Sequence, residues 1–156
     1  MRKVLFIGFI ATILTFCKSN PTVDLSRKET SKIKGEYTIT SVIYPGQDLF
    51  KVKSFELADS QCFVGSNWKF IANNNSGNMN MNNSKCDAFE SKITWYINKE
   101  GKFIFKILNE GVKAKKVKEG YELTVANATD DSFQLVDRIN VGGSVNNIVY
   151  QFNKVK

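Results

Sequence analysis

The chain has 156 residues, 42% of them hydrophobic and 24% charged, which fits one globular domain with its own core. No residue is a histidine, and this excludes Ser–His triads, histidine general bases and His-ligated metal sites, so we expect no enzyme, no metal and no cofactor. The formal net charge of +7 comes almost wholly from scattered lysines rather than from clustered arginines, which argues against a nucleic-acid partner.

Residues 1–16 have the layout of a secretory signal. The basic pair Arg2-Lys3 precedes an apolar run that ends at Phe16 and is shorter than the roughly 20 apolar residues of a membrane-spanning helix. Leu14-Thr15-Phe16-Cys17 resembles the lipobox of bacterial lipoproteins. The resemblance implies that Cys17 is acylated with chains such as palmitate and holds the protein in the cell envelope, with the outer membrane as the expected site. Cleavage just downstream, giving a soluble secreted or periplasmic protein, and an uncleaved anchor are the alternatives.

The hydrophobic pattern changes at Ile33. The preceding polar stretch, residues 17–32, is typical of a tether between an anchor and a domain. From Ile33 onward, apolar residues recur at every second position, which predicts a half-buried β-strand. Its apolar face carries Ile33, Gly35, Tyr37, Ile39 and Ser41. We therefore assign residues 33–156 to the folded domain.

The following segment is less regular. Residues 50–63 fit no single period and combine a possible strand with a short helical turn that begins near Ala58. Residues 64–72 then alternate clearly and predict a strand. The Asn- and Gly-rich residues 73–77 predict a turn, because both residue types tolerate positive φ, and residues 78–81 could return as a short paired strand.

The rest of the chain reads as a series of hairpins. Alternating runs separated by turn residues predict strands around residues 93–97, 103–107, 112–117, 121–125, 133–137 and 148–152. Because the connections are tight, each strand is expected to pair with the next one. The pattern predicts an all-β fold, an antiparallel up-and-down β-barrel of roughly 8–10 strands. A barrel of this size holds either packed side chains or one small ligand.

The cysteines predict one disulfide bond. If Cys17 carries lipid, Cys62 and Cys86 remain as a pair in an oxidising compartment. A bond between them would close a loop of about two dozen residues and contribute about 3 kcal/mol to stability. Two buried free thiols are the alternative.

Two stretches resemble the bacterial lipocalin-like lipoproteins of the lipocalin superfamily. One is similar to the Gly-x-Trp start of lipocalins, with Tyr in place of Trp: Lys34-Gly35-Glu36-Tyr37-Thr38-Ile39. The other begins with Ala58-Asp59-Ser60-x-Cys62-Phe63 and continues to Trp68 and Phe70. The resemblance implies an eight-stranded calyx with an N-terminal lipid anchor. It also implies a basic residue over the ring of Tyr37, for which Arg138 and Lys154 are candidates.

The aromatic residues on the predicted inner faces suggest a cavity for an elongated apolar ligand. The candidate lining residues are Tyr37, Trp68, Phe70, Trp95, Phe105, Tyr121, Phe133, Arg138 and Tyr150. In this interpretation, Tyr hydroxyls orient a fatty-acid carboxylate and Arg138 neutralises it. Asp137 is interpreted as the partner of Arg138 in an exposed ion pair.

These observations favour a binding protein. We expect a monomeric envelope lipoprotein that binds a small hydrophobic molecule, fatty-acid-like or lipid-like, inside its barrel. The alternative is a non-enzymatic interaction module of the envelope, in which the protein's own side chains fill the barrel and its loops bind a protein partner.

Overall fold

The computed structural model of the protein describes residues 33–108, 111, 113–118 and 120–156. The signal segment predicted for residues 1–16, the tether at 17–32 and the acylation candidate Cys17 lie outside these residues and stay predictions. Within the described ranges, no helix is long and apolar enough to cross a membrane.

The described chain consists mainly of β-strands. In chain order they are β1 (Gly35–Ile43), β2 (Lys53–Ser54), β3 (Ala58–Asp59), β4 (Asn67–Ile71), β5 (Ser76–Met81), β6 (Phe89–Ile97), β7 (Lys102–Leu108), β8 (Tyr121–Ala126), β9 (Ser132–Val141) and β10 (Ser144–Lys154). Short 3-10 helices at Ser60–Phe63 and Ala114–Lys116 lie in the connections.

The long strands close into an antiparallel barrel. The order around it is β1-β10-β9-β8-β7-β6-β5-β4, and β4 pairs with β1 to complete the circle, with Gly35 opposite Phe70. From β4 to β10 each strand pairs with the next one, as the tight turns predicted. The predicted up-and-down β-barrel is therefore confirmed. Strands β2 and β3 stand apart from it as a separate two-stranded hairpin.

The barrel has two different ends. We call the end where β1 begins the base, and short turns join β4 to β5, β6 to β7 and β8 to β9 there. We call the opposite end the mouth. It carries the long connection from β1 to β4, residues 44–66, and the turn at Gly142-Gly143 between β9 and β10. The β2–β3 hairpin belongs to that long connection.

A β-bulge in β1 changes which side chains face the interior. The register with β10 shifts between Ile39 and Ser41, so one extra residue enters β1 at this point. Ile39 is buried as predicted, but Ser41 is only partly buried and Val42 takes the interior position instead. The prediction that Ser41 continues the inner face was wrong, because strict alternation does not survive a bulge.

Aromatic rings fill the base half of the barrel. Phe133 and Phe152 stack with ring centroids 4.7 Å apart, and Tyr37 meets Phe133 edge-on at 5.0 Å. Trp95 stacks on Phe103 at 5.6 Å. Ring pairs at such distances add to the free energy gained from burial of their apolar area.

Gly77 allows β4 and β5 to approach closely beside these rings. A Cβ at this position would collide with the backbone carbonyl oxygen of Lys69 and press on the side chain of Ile93. We expect Gly77→Ala to lower the free energy of unfolding by about 1–3 kcal/mol, because backbone atoms cannot make room cheaply. Urea denaturation measures this, with Gly120→Ala as the control, since a Cβ there meets only side-chain atoms at ordinary contact distance. Equal midpoints for the two variants would contradict the close approach.

The strand predicted for residues 112–117 is wrong where the chain is described. Ala114–Lys116 forms one 3-10 turn, in which the amide of Lys116 donates to the carbonyl of Lys113 at 2.8 Å. Within 113–118 the apolar residues, Ala114 and Val117, lie three positions apart, so they share one side of a three-residue turn rather than one face of a strand.

Candidate functional site

A hairpin from the long β1–β4 connection closes the mouth of the barrel. We call β2, β3 and the turn between them, residues 53–59, the mouth hairpin. The amide of Leu57 donates to the carbonyl of Ser54 at 3.0 Å, and the residues between them, Phe55 and Glu56, have φ of 53° and 51°. Positive φ at both central positions of a turn favours Gly or Asn, whereas a bulky side chain is strained there.

The strained turn carries an aromatic ring into the barrel. The ring of Phe55 is buried and meets Phe105 at 5.0 Å, Phe63 and Tyr121 at 5.2 Å and Tyr150 at 5.3 Å. Phe105, Tyr121 and Tyr150 belong to barrel strands, whereas Phe63 belongs to the same long connection as Phe55. A loop-borne side chain thus occupies the mouth half of the interior.

Hydroxyl groups hold the hairpin against the barrel wall. The Ser54 Oγ lies 2.5 Å from the Tyr150 Oη and 2.6 Å from the Ser60 Oγ, and the Ser60 hydroxyl donates to the carbonyl of Val52 at 2.7 Å. The Tyr121 hydroxyl donates to the Phe55 carbonyl at 2.7 Å. Burial raises the pKa of Tyr150, so this hydroxyl stays protonated and available to the network at ordinary pH.

The predicted disulfide bond is confirmed and lies next to the hairpin. Cys62 and Cys86 are bonded, with an S–S distance of 2.00 Å and a Cα–Cα distance of 5.8 Å. Cys62 belongs to the 3-10 helix that follows β3, and Cys86 to the connection between β5 and β6. The bond therefore joins the long mouth connection to the connection between β5 and β6, which lies at the same end of the barrel.

The structure brings the predicted aromatic residues together inside the barrel. They lie on inward faces and, apart from the partly buried Tyr121, are almost fully shielded from solvent: Tyr37, Trp68, Phe70, Trp95, Phe105, Tyr121, Phe133 and Tyr150. Whether they contact a ligand remains a prediction. Lys154 pairs with Tyr37 in the β1–β10 register at the base. Arg138 lies on β9 near the mouth, whereas Tyr37 lies on β1 near the base.

The predictions for Arg138 and Asp137 are both wrong, because Arg138 lies outside the barrel and Asp137 points into it. Arg138 is exposed on the outer face of β9, where it pairs with Asn147 of β10, so it does not line the interior. Asp137 pairs with Ile148, which is 0% exposed, and continues the inward series Phe133 and Leu135. Neighbouring residues of a strand point to opposite faces, so the two cannot form the predicted surface pair. The alternation of Phe133, Leu135 and Asp137 was the available signal.

Burial raises the pKa of the inward Asp137 carboxyl, and the backbone amide of Arg138 opposes that rise in pKa by hydrogen bonding to the ionised form. A carboxyl with a raised folded-state pKa adds stability below its unfolded-state pKa, and this contribution is lost as the pH rises through the folded-state value. We therefore expect Asp137→Asn to lose less stability than the parent between pH 3 and pH 7. Urea midpoints across this range measure the difference, and parallel curves for parent and variant would contradict the inward placement.

No sequence pattern indicated the residues that close the mouth. Phe55 lies in the segment that fitted no single period, and nothing in its neighbours indicates a left-handed turn. Among the residues that the structure describes, no group of His, Cys, Asp and Glu side chains could hold a metal ion. The site is therefore the space among the rings of Phe105, Tyr121 and Tyr150 that the Phe55 ring fills, bordered by hydroxyl groups and by the inward carboxyl of Asp137. We call this space the mouth chamber.

A closed eight-stranded barrel with an aromatic interior agrees with the comparison of this sequence with known families. The family model described as "Lipocalin-like domain" matches residues 33–135. The chain belongs to this family of lipocalin-like domains. Lipocalins bind small hydrophobic ligands, and the family is generally non-enzymatic.

One solved structure and the curated proteins complete the comparison. The lipocalin-like domain is similar to the structure titled "Odorant Binding Protein OBP1", with a TM-score of 0.44 and 12% sequence identity over 85% of this chain and 76% of that chain. No curated protein matches the sequence.

Proposed function

We propose that this lipocalin-like domain is part of an envelope lipoprotein and binds a small hydrophobic molecule at the mouth of its barrel. The ligand would take the space that the Phe55 ring fills when the mouth hairpin is closed. The observation that carries the proposal is that this space is filled from a loop and not from the barrel strands. Moving the hairpin leaves the strand-borne rings of Phe105, Tyr121 and Tyr150 as an aromatic wall.

The hairpin is attached in a way that permits local opening. In the part of the chain that the structure describes, no backbone hydrogen bond joins residues 52–60 to a barrel strand, and the bonds inside this segment can move with it. The attachments are the Phe55 ring, the Ser54 hydroxyl, the bond from Tyr121 and the apolar contacts of Val52, Leu57 and Ala58 with the core. Each left-handed residue costs about 1–2 kcal/mol, and opening releases this strain. The barrel itself can stay intact.

A lipid anchor fits this activity. The described chain begins with Ile33 at the base, so a tether at residues 17–32 would leave from the end opposite the mouth. Fully extended, such a tether spans about 55 Å, which is long enough for the mouth to face the membrane or to turn away from it. Acylation at Cys17 would keep the monomeric domain near a source of apolar molecules, in the outer membrane as the expected site. Metabolic labelling with palmitate tests this, and label that persists in Cys17→Ser would reject it.

A second function has its own supporting observation. Apolar side chains are exposed on the same rim: Ile43, Leu49 at 88% exposed, Phe50 and Val145 at 66% exposed. A group of exposed apolar residues marks a docking surface in many proteins. In this alternative the Phe55 ring is a permanent part of a filled core, and the rim binds an envelope protein.

Two variants of the hairpin separate these functions. The exported chain, residues 17–156, is prepared with Cys17→Ser. N-phenyl-1-naphthylamine, whose fluorescence rises in apolar surroundings, is titrated into it. Phe55→Ala removes the ring that competes with the probe, and we expect the apparent affinity to rise at least tenfold. Glu56→Gly relieves strain at an exposed position and stabilises the closed hairpin by about 0.5–1 kcal/mol, so the affinity should fall about two- to fivefold.

The apparent affinity is proportional to the fraction of molecules whose mouth is open to the probe. Phe55→Ala should raise this fraction, and Glu56→Gly should lower it. Opposite shifts support the ligand function. Absence of probe binding in the parent and in Phe55→Ala contradicts it and favours the docking function. Equal shifts in the same direction would mean that the hairpin does not control access.

A further inference from the structure

The wall of the mouth chamber carries a carboxyl group on its inner face. Asp137 of β9 lies two residues beyond Leu135, which is 2% exposed. In the ladder between the neighbouring strands β9 and β10, Asp137 pairs with Ile148. Residues that pair in an antiparallel ladder project on the same side, so Asp137 points inward with Ile148. Two positions after Ile148, the Tyr150 ring contacts Phe55, the residue that closes the chamber.

No cation among the residues that the structure describes forms an ion pair with this carboxyl. In the described residues the one ion pair joins Lys69 to Glu36, on the outer surface near the base. Arg138 follows Asp137 directly but projects outward. The hydroxyl of Tyr150 is already engaged with Ser54. The backbone amide of Arg138 is the partner that stabilises the ionised form of Asp137.

We infer that the ligand of the proposed site is an amphiphile with a protonated amine head, which pairs with Asp137, rather than a fatty acid. This inference rests on the proposed function and specifies its ligand class. A partly buried carboxylate without a cation is costly, and a charge-assisted N–H···O bond from an ammonium group would repay that cost. A fatty-acid carboxylate would instead bring a second negative charge beside the first.

The geometry also excludes the predicted partner of a ligand carboxylate, which was Arg138. Arg138 is outside the barrel, so it cannot neutralise an acid in the chamber. Lys53 of the mouth hairpin is exposed to solvent, and screening limits the effect of such lysines to about 10 Å at ordinary ionic strength. Among the described residues of the barrel strands, Asp137 therefore supplies the charge that faces the interior at the mouth.

Burial of Asp137 disfavours its ionised form, and a bound ammonium group would offset this effect. Burial raises its pKa, so the empty site is penalised for holding a bare carboxylate. An ammonium group would bring the pKa back down by stabilising the ionised form. Binding of an amine is therefore expected to release a proton where the carboxyl is still partly protonated.

Displacement of N-phenyl-1-naphthylamine by three twelve-carbon amphiphiles tests the inference. Dodecylamine, dodecanol and dodecanoic acid share one apolar body and differ in the charge of the head. On the exported chain carrying Cys17→Ser at pH 7, dodecylamine should displace the probe at a concentration at least tenfold lower than dodecanoic acid. Each amphiphile stays below its micelle concentration, which a protein-free titration establishes.

A matched pair of variants isolates the carboxyl. Asp137→Asn keeps the shape of the side chain and should bring dodecylamine and dodecanoic acid within about twofold of each other, with dodecanol unchanged. Asp130→Asn changes the net charge equally but lies in an exposed turn at the base, so it should keep the tenfold preference. Urea unfolding in parallel shows that both variants are folded.

The outcomes separate the inference from the function on which it rests. If dodecanoic acid displaces the probe as well as dodecylamine in the parent, the amine assignment is wrong and the hydrophobic site stands. A preference that falls equally in both variants would assign it to net charge and overturn the role of Asp137. If no amphiphile or probe binds either the parent or Phe55→Ala, the proposed function itself fails.

Discussion

Phe70→Ala should lower the free energy of unfolding by about 3–5 kcal/mol, the largest effect that we expect of a single substitution in this protein. Phe70 is 1% exposed and lies at the centre of the aromatic core. Its ring contacts those of Tyr37, Trp68, Trp95, Phe103, Phe133 and Phe152. Rings held on several barrel strands cannot collapse into the void, so the cavity cost adds to the lost transfer free energy.

Urea denaturation followed by tryptophan fluorescence measures this effect. Trp68 and Trp95 both contact Phe70, so the signal reports directly on its surroundings. Phe50→Ala is the matched control, because Phe50 is 38% exposed on the mouth connection and its loss should cost less than about 1 kcal/mol. A cost below about 1 kcal/mol for Phe70→Ala would mean that the base half is not packed as described.

Removal of the disulfide bond should have the second-largest effect. The bond closes a loop with a sequence separation of 24 residues, and chain-entropy arguments assign about 3 kcal/mol to such a loop. The double variant Cys62→Ala/Cys86→Ala should therefore unfold at a clearly lower urea concentration than the parent. The m-value is also expected to rise, since the unfolded chain without the crosslink exposes more surface.

Reduction provides the control for the disulfide prediction. Dithiothreitol should move the parent to the midpoint of the double variant and leave the double variant unchanged. Both experiments use the background with Cys17→Ser, which removes a thiol that could exchange with the bond. A parent midpoint that does not respond to full reduction would contradict a stabilising role.

The barrel could be predicted from the sequence because its long strands obey simple rules. One face of each strand is buried, so apolar residues recur with period two, as in Phe103 and Phe105. The turns after β4, β6, β8 and β9 are short and contain Gly or Asn, which leaves little choice of strand partner. The disulfide bond could be predicted because Cys17 had a separate role in the signal pattern.

The mouth hairpin could not be predicted for physical reasons. Its strands are two residues long, too short to show any period. Phe55 adopts a left-handed conformation that its own side chain disfavours, so tertiary packing overrides the local preference. The bulge in β1 is a similar case, because an extra residue at Thr40 leaves no mark in the composition of the strand.

The inward carboxyl was misassigned for a different reason. Asp137 stands next to Arg138, and opposite charges side by side suggest an ion pair. The alternation of the strand separates the two residues onto opposite faces of the sheet. The alternation of inward and outward positions along the strand therefore predicts the side of Asp137 better than its sequence neighbour does.

The central claim is that the Phe55 ring and a ligand compete for the mouth chamber, and an NMR structure of the complex with N-phenyl-1-naphthylamine tests it most directly. We expect nuclear Overhauser contacts between the probe and the rings of Phe105 and Tyr150, together with loss of the contacts from Phe55 to those rings. Contacts of the probe with Leu49 and Phe50 alone, with the Phe55 ring still seated on Tyr150, would contradict the account.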